Sequence, residues 1–105
     1  MRKMIELAAK AAGIDGSWGH EAYIEKSEGF IPRGSRRAWD PTRNYEDAFR
    51  LMVKLRLAVS IEAPDNYVVV VTEDAEDFVE RGDDLNKTTM LAITKVAAFI
   101  GEKMP

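Results

Sequence analysis

Three groups of residues in this chain have side chains suited to chemistry: a lone histidine beside a glutamate, a run of carboxylates, and arginines gathered around a tryptophan. His20 is the only imidazole, so no histidine-rich metal site can be assembled around it. Its neighbour Glu21 would point to the opposite face of any strand that held both, which argues against an acid–base pair. No serine sits in a Gly-x-Ser-x-Gly elbow, and no glycine-rich phosphate loop is present. The chain has no cysteine, which removes disulfides, thiolate zinc sites and thiol nucleophiles together. These readings predict a non-enzymatic protein with neither cofactor nor metal.

The carboxylates Glu73, Asp74, Glu76, Asp77, Glu80, Asp83 and Asp84 invite a calcium reading. A calcium loop needs oxygen ligands at its first, third and fifth positions and glycine at its sixth. Counted from Asp74, the fifth and sixth positions are Phe78 and Val79. The pattern fails, and a charged edge strand leading into a helix N-terminus explains the acidity.

Arg33, Arg36, Arg37 and Arg43, with Trp39 among them, form the best candidate surface. Arginine and tryptophan are the residues that anchor protein interfaces, and the same pair can grip phosphate and stack on bases. The structural alternative is that Trp39 holds the loop to the core while the arginines are solvated or ion-paired. Two functions follow: binding to an as yet unidentified protein, or, as the second reading, binding to nucleic acid through the same loop.

The elements that must position these residues are legible in part. A length of 105 residues fits one domain spanning residues 1–105, and 46% hydrophobic with 31% charged content is globular. Residues 1–56 hold eleven Lys/Arg against eight Asp/Glu, and residues 57–105 hold four against ten, so a chain of net charge −3 is divided unevenly. Glu6 and Lys10 interrupt what would be the apolar core of a signal peptide, and no uncharged apolar run approaches the ~20 residues of a membrane helix. A cytoplasmic setting without membrane association is expected.

The spacing predicts a helix from Lys3 to Ala12 with Met4, Leu7, Ala8, Ala11 and Ala12 as its buried stripe and Gly13 as its cap. Two weak extended pieces, Ala22–Glu25 and Gly29–Ile31, would form a hairpin. Asn44 caps a second helix, with Asp47 as the acidic member of a capping box; Ala48, Leu51, Met52 and Leu55 are its stripe, flanked by Phe49 and Val53. Leu57–Ile61 and Tyr67–Thr72 read as strands, the second central and covered on both faces because its β-branched run is unbroken. Glu76–Arg81 would return as an acidic edge. The last helix would run from Leu85 to Ile100, with Asp84 as N-cap, Gly101 as its end, and Met90, Ile93, Ala97 and Ile100 as one stripe. Trp18, Tyr23, Phe30 and Tyr45 are expected in the packing. The fold class predicted is α+β: a mainly antiparallel sheet covered by three helices, an α-β-α sandwich.

The segment Trp39-Asp40-Pro41, followed by Asp47-Ala48-Phe49-Arg50-Leu51-Met52-Val53-Lys54-Leu55, resembles a family of small phage and prophage proteins with an α-β-α sandwich domain. That family shows a Trp-Asn/Asp-Pro turn, then a helix of the form Asp-Ala-Leu/Phe-Arg-Leu-x-Val-Lys-Leu. Its closing alanine-rich helix is similar to Thr88–Ile100, and its opening helix exit to Ala12–Gly16. The match is densest from Trp39 to Leu57 and weaker over residues 17–37. The resemblance implies the sandwich fold, a phage or prophage setting inside a bacterial host, and a partner encoded by host or phage. It supplies no catalytic residue and no assigned activity.

Overall fold

The structure, a computed structural model, describes residues 1–21 and 24–105. Three helices and five strands follow in the order α1 (Arg2–Ala11), β1 (Gly16–Glu21), β2 (Ile24–Pro32), α2 (Tyr45–Lys54), β3 (Ala58–Glu62), β4 (Tyr67–Val71), β5 (Asp77–Arg81) and α3 (Leu85–Lys103). The strands form two antiparallel sheets, β1–β2 and β3–β4–β5, so the chain is an α+β sandwich whose strands are split between two sheets.

α3 is the centre of the molecule. Its apolar residues are not confined to one stripe: Met90, Ala92, Ile93, Val96, Ala97 and Ala98 are all buried, as are Thr88, Thr94 and Gly101. A helix that is apolar nearly all round must be covered on several sides. α3 lies over β4 and β5 on one side and against α1 and α2 on others. Asp84 caps it through Lys87 N–H at 3.2 Å. Each buried or half-buried threonine hydroxyl of the helix donates to the carbonyl four residues back; for Thr94, which has no exposure, that bond to Met90 O is 2.7 Å. The buried polar atoms are thereby satisfied.

α1 packs on α3 through Ala8 and Ala12 of the predicted stripe together with Ile5 and Ala9, while the predicted Met4, Leu7 and Ala11 are only half-buried. Six of its residues are apolar, so spacing alone leaves its rotation open. The small side chains decide it, because they let the two helix backbones touch. Gly101 does not end α3 as expected but lies within it, and a Cβ there would run into the Leu7 carbonyl of α1. The exit of α1 is as predicted: Gly13 is left-handed at φ 71°, its N–H donates to Lys10 O, and Ile14 N–H donates to Ala9 O at 2.9 Å. That pair of bonds is the Schellman cap, with Ile14 packed back on the core.

The hairpin exists but is longer than the two predicted pieces and begins earlier, at Gly16. Gly16 pairs with Pro32 and Gly19 with Gly29, and the polar Lys26-Ser27-Glu28, which falls between the two predicted pieces, lies inside β2. Ala22 and Tyr23, the start of the first predicted piece, lie outside the described residues. Glycines diluted the strand pattern here, yet the close packing uses them: Gly29 backs onto Ala38, where a Cβ would sit 2.9 Å from the alanine methyl.

β4 is the central strand of its sheet, as its valines predicted. Its burial alternates, however: Val68 and Val70 are fully buried, while Tyr67, Val69 and Val71 are half-buried. The helices cover the Val68–Val70 face, and the other face is shielded only in part. Phe78 of β5 meets Phe99 of α3 edge-on at 5.0 Å, and Lys95 pairs with Glu80 at 2.9 Å, fixing the sheet to the helix.

The α1–α3 contact generates a prediction with an inverted sign. Inside a helix, alanine is ordinarily about 1 kcal/mol better than glycine. Gly101→Ala is expected instead to lose about 1–3 kcal/mol, because its methyl group meets a backbone carbonyl that can yield only by separating the helices. Urea unfolding of the two proteins measures the difference, and a stabilised variant would contradict this packing.

Candidate functional site

The segment between β2 and α2 carries the predicted site, and it is held by a chain of local bonds. Gly34 turns at φ 82°, and Ser35 N–H donates to Pro32 O at 2.9 Å. Trp39 N–H then donates to Phe30 O at 2.7 Å, so the segment adds a single bridge to the hairpin. The Asp40 carboxylate accepts from Thr42 N–H and the Thr42 hydroxyl, while Asn44 Oδ1 accepts from Asp47 N–H at 3.0 Å as the expected N-cap. The Asp47 carboxylate does not close the predicted box on Asn44; it accepts from Asp40 N–H at 3.0 Å and ties the turn to the helix.

The predicted site residues do not converge. Trp39 is buried, edge-on to Phe30 with ring centres 6.1 Å apart, and anchors the segment in the core. Arg33 is exposed and paired with Asp15 at 2.9 Å, closing the open end of the hairpin. Arg36 is exposed and engaged in an interaction of its own. Arg37 reaches the groove described next, while Arg43 borders two smaller clefts that Arg37 does not line. Of the four arginines only Arg37 therefore stands at the main concavity, and Trp39 lies beneath it.

That concavity is a groove of about 810 Å³ between α2 and the ends of α1 and β2. Its floor is Ala12, Ile14, Pro32, Trp39 and Leu51, and one wall is Phe49 and Val53 of α2. Arg37, Arg50 and Lys54 stand among its lining residues with Glu46 and Asp47. Glu46 is already bound by Arg50 at 2.7 Å. Among the described residues, no carboxylate lies within ion-pair distance of Arg37 or Lys54. The border of the groove is thus weighted towards positive charge.

Phe49 and Val53 belong to a ridge that sequence spacing did not single out. Tyr45, Phe49 and Val53 follow one another at i, i+4 and i+8 on α2 and are 64%, 61% and 57% exposed. Tyr45, expected in the packing, is part of this outer face. The available signal was an excess: α2 has more apolar residues than the Ala48–Leu51–Met52–Leu55 stripe uses, and the surplus falls on one line.

The other predicted sites stay apart from the groove. His20 is exposed on β1 opposite Glu28, and among the described residues no group of three His, Cys, Asp or Glu side chains is placed to hold a metal ion. Among those residues, too, no helix is long and apolar enough to cross a membrane. Comparison with known proteins finds no matching family model, no matching curated protein and no matching solved structure. The resemblance of the Trp39–Leu57 segment to phage proteins rests on its residue pattern alone.

Asp47 is the groove residue with a displaced proton equilibrium. Partial burial raises its pKa above the ordinary value, outweighing the Asp40 N–H bond and the nearby Arg37, both of which favour the anion. The folded state thus holds its proton more tightly than the unfolded chain. That contribution to stability is present below the ordinary aspartate value and lost as pH rises through the folded one. Carboxyl NMR titration should place Asp47 above 3.8, its ordinary value. Unfolding of Asp47→Asn alongside the wild type should move against the wild type as pH rises across that window.

Proposed function

We propose that this chain is a non-enzymatic protein that works by binding another protein along the α2 ridge and the groove beside it. The observation that carries this reading is the exposed line Tyr45–Phe49–Val53, whose Phe49 and Val53 wall a groove floored by core residues. Contiguous exposed apolar residues on a folded domain mark interaction surfaces, and aromatic side chains over a preformed hollow are the usual anchors. The cationic border adds a requirement on the partner: an apolar segment flanked by acidic residues. Electrostatic matching of that kind directs encounter and excludes partners of the wrong sign.

The setting we propose is a phage or prophage accessory protein in the cytoplasm of a bacterial host, on the strength of the Trp39–Leu57 pattern and a chain without cysteine. The second reading, nucleic-acid binding by the Arg33–Arg43 loop, draws support from the exposed Arg37 and Arg43. It is weakened by the burial of Trp39, whose ring faces Phe30 and is withdrawn from base stacking.

A tagged pull-down from bacterial lysate, with and without nuclease, separates the two. The expected result is a discrete protein that survives nuclease and is lost in Phe49→Asp, with a weakening of about 30-fold if Phe49 is a hot spot. Arg36→Glu/Arg37→Glu should reduce the same capture. Recovery of nucleic acid alone, abolished by nuclease or by added salt, would replace this proposal with the second reading. Capture indifferent to Phe49→Asp would remove the α2 face from it.

A further inference from the structure

We infer that β3 is the docking edge for a second copy of this chain, the two strands pairing antiparallel about Ser60 to make one six-stranded sheet. β3 and β5 are the two edges of the three-stranded sheet, and they are built differently. β5 carries Asp77, Glu80 and Arg81, with Glu80 held by Lys95 of α3. Charge along an edge and a helix lying over it both discourage strand addition. β3 has no charged residue from Ala58 to Ile61, and α3 lies over β4 and β5 instead of over it. Ile61 is 53% exposed, although Val68, its partner on β4 and on the same face, is fully buried. An unpaired row of backbone N–H and C=O groups beside an exposed isoleucine is the template that strand addition uses.

Two features select a second copy as the occupant. Antiparallel pairing about Ser60 sets Val59 opposite Ile61 of the second copy, and Ile61 opposite its Val59, all on the face that carries Val68 and Val70. Apolar side chains then meet across the new edge on the face that the helices seal at Val68 and Val70 but leave open at Ile61. The flanking charges match as well. Arg56 precedes β3 and Glu62 ends it, so antiparallel pairing brings each Arg56 towards the opposing Glu62, whereas parallel pairing would bring like towards like. The present partner of Arg56 is Glu73 at 3.8 Å, both widely exposed, a contact loose enough to be exchanged. The arrangement uses the same residues on both copies, which is how a two-fold interface closes.

This inference is independent of the α2 face, and sedimentation velocity on the full chain tests it. The wild type should form a dimer whose fraction rises with concentration, and Phe49→Asp should behave alike. Ile61→Lys should weaken the dimer by at least about tenfold with unchanged circular dichroism. In a second series, Glu62→Arg should weaken the dimer and Arg56→Glu/Glu62→Arg should restore it. A wild type that stays monomeric at its highest soluble concentration would overturn the inference. So would a dimer that survives Ile61→Lys, or one lost in Phe49→Asp and kept in Ile61→Lys.

Discussion

The backbone contact between α1 and α3 at Gly101 sets the geometry of the rest of the molecule. α3 is apolar on nearly every side and must be covered by more than a sheet. A sheet reaches one side of a helix, so a second layer has to approach closely on another. Ala8, Ala9 and Ala12 on α1, with Ala97 and Gly101 on α3, make that approach short enough for the Leu7 carbonyl to lie against the glycine. Lys10 Nζ donating to Met104 O at 3.0 Å closes the same crossing at its far end. Interiors pack at crystalline density, so an element this constrained leaves its neighbours little choice of position.

α2 is placed by what remains. It packs on α3 through the side bearing Ala48 and Leu51, and Leu51 joins Ile93 and Val96 in the core. The opposite side has nothing to cover it within this fold. The preceding segment is pinned twice, by Trp39 on Phe30 and by Asp47 on Asp40, which fixes the angle at which α2 enters. A groove with a floor of core residues costs little to organise when something binds, because its side chains are already held.

The β side follows the same logic with a different result. One face of the sheet is sealed where α3 runs, over β4 and β5, and β3 lies beyond the helix. The acidic residues that had suggested a metal site instead mark β5 as a protected edge and cap α3, with Asp84 accepting from Lys87 N–H. Within one sheet, then, a shielded edge and an unshielded one stand side by side.

The amino-acid sequence by itself determined what depends on neighbours along the chain. The Schellman exit at Gly13, the caps at Asn44 and Asp84 and the central valine strand are set by contacts within a few residues, so each was legible. The α+β class followed from their order. What only the tertiary structure decided is which side of each element is covered. Met4 and Leu7 were as eligible as Ile5 and Ala9 until the close approach of α3 favoured the smaller side of α1. Phe49 and Val53 were apolar residues beside a stripe until α3 had room for only half of α2. The arginines of residues 33–43 were one cluster in the sequence, and the folded segment parted them, with Arg33 on Asp15, Arg37 at the groove and Arg43 at other clefts. Periodicity states that a face is apolar; only the space between packed elements determines whether the protein itself fills it.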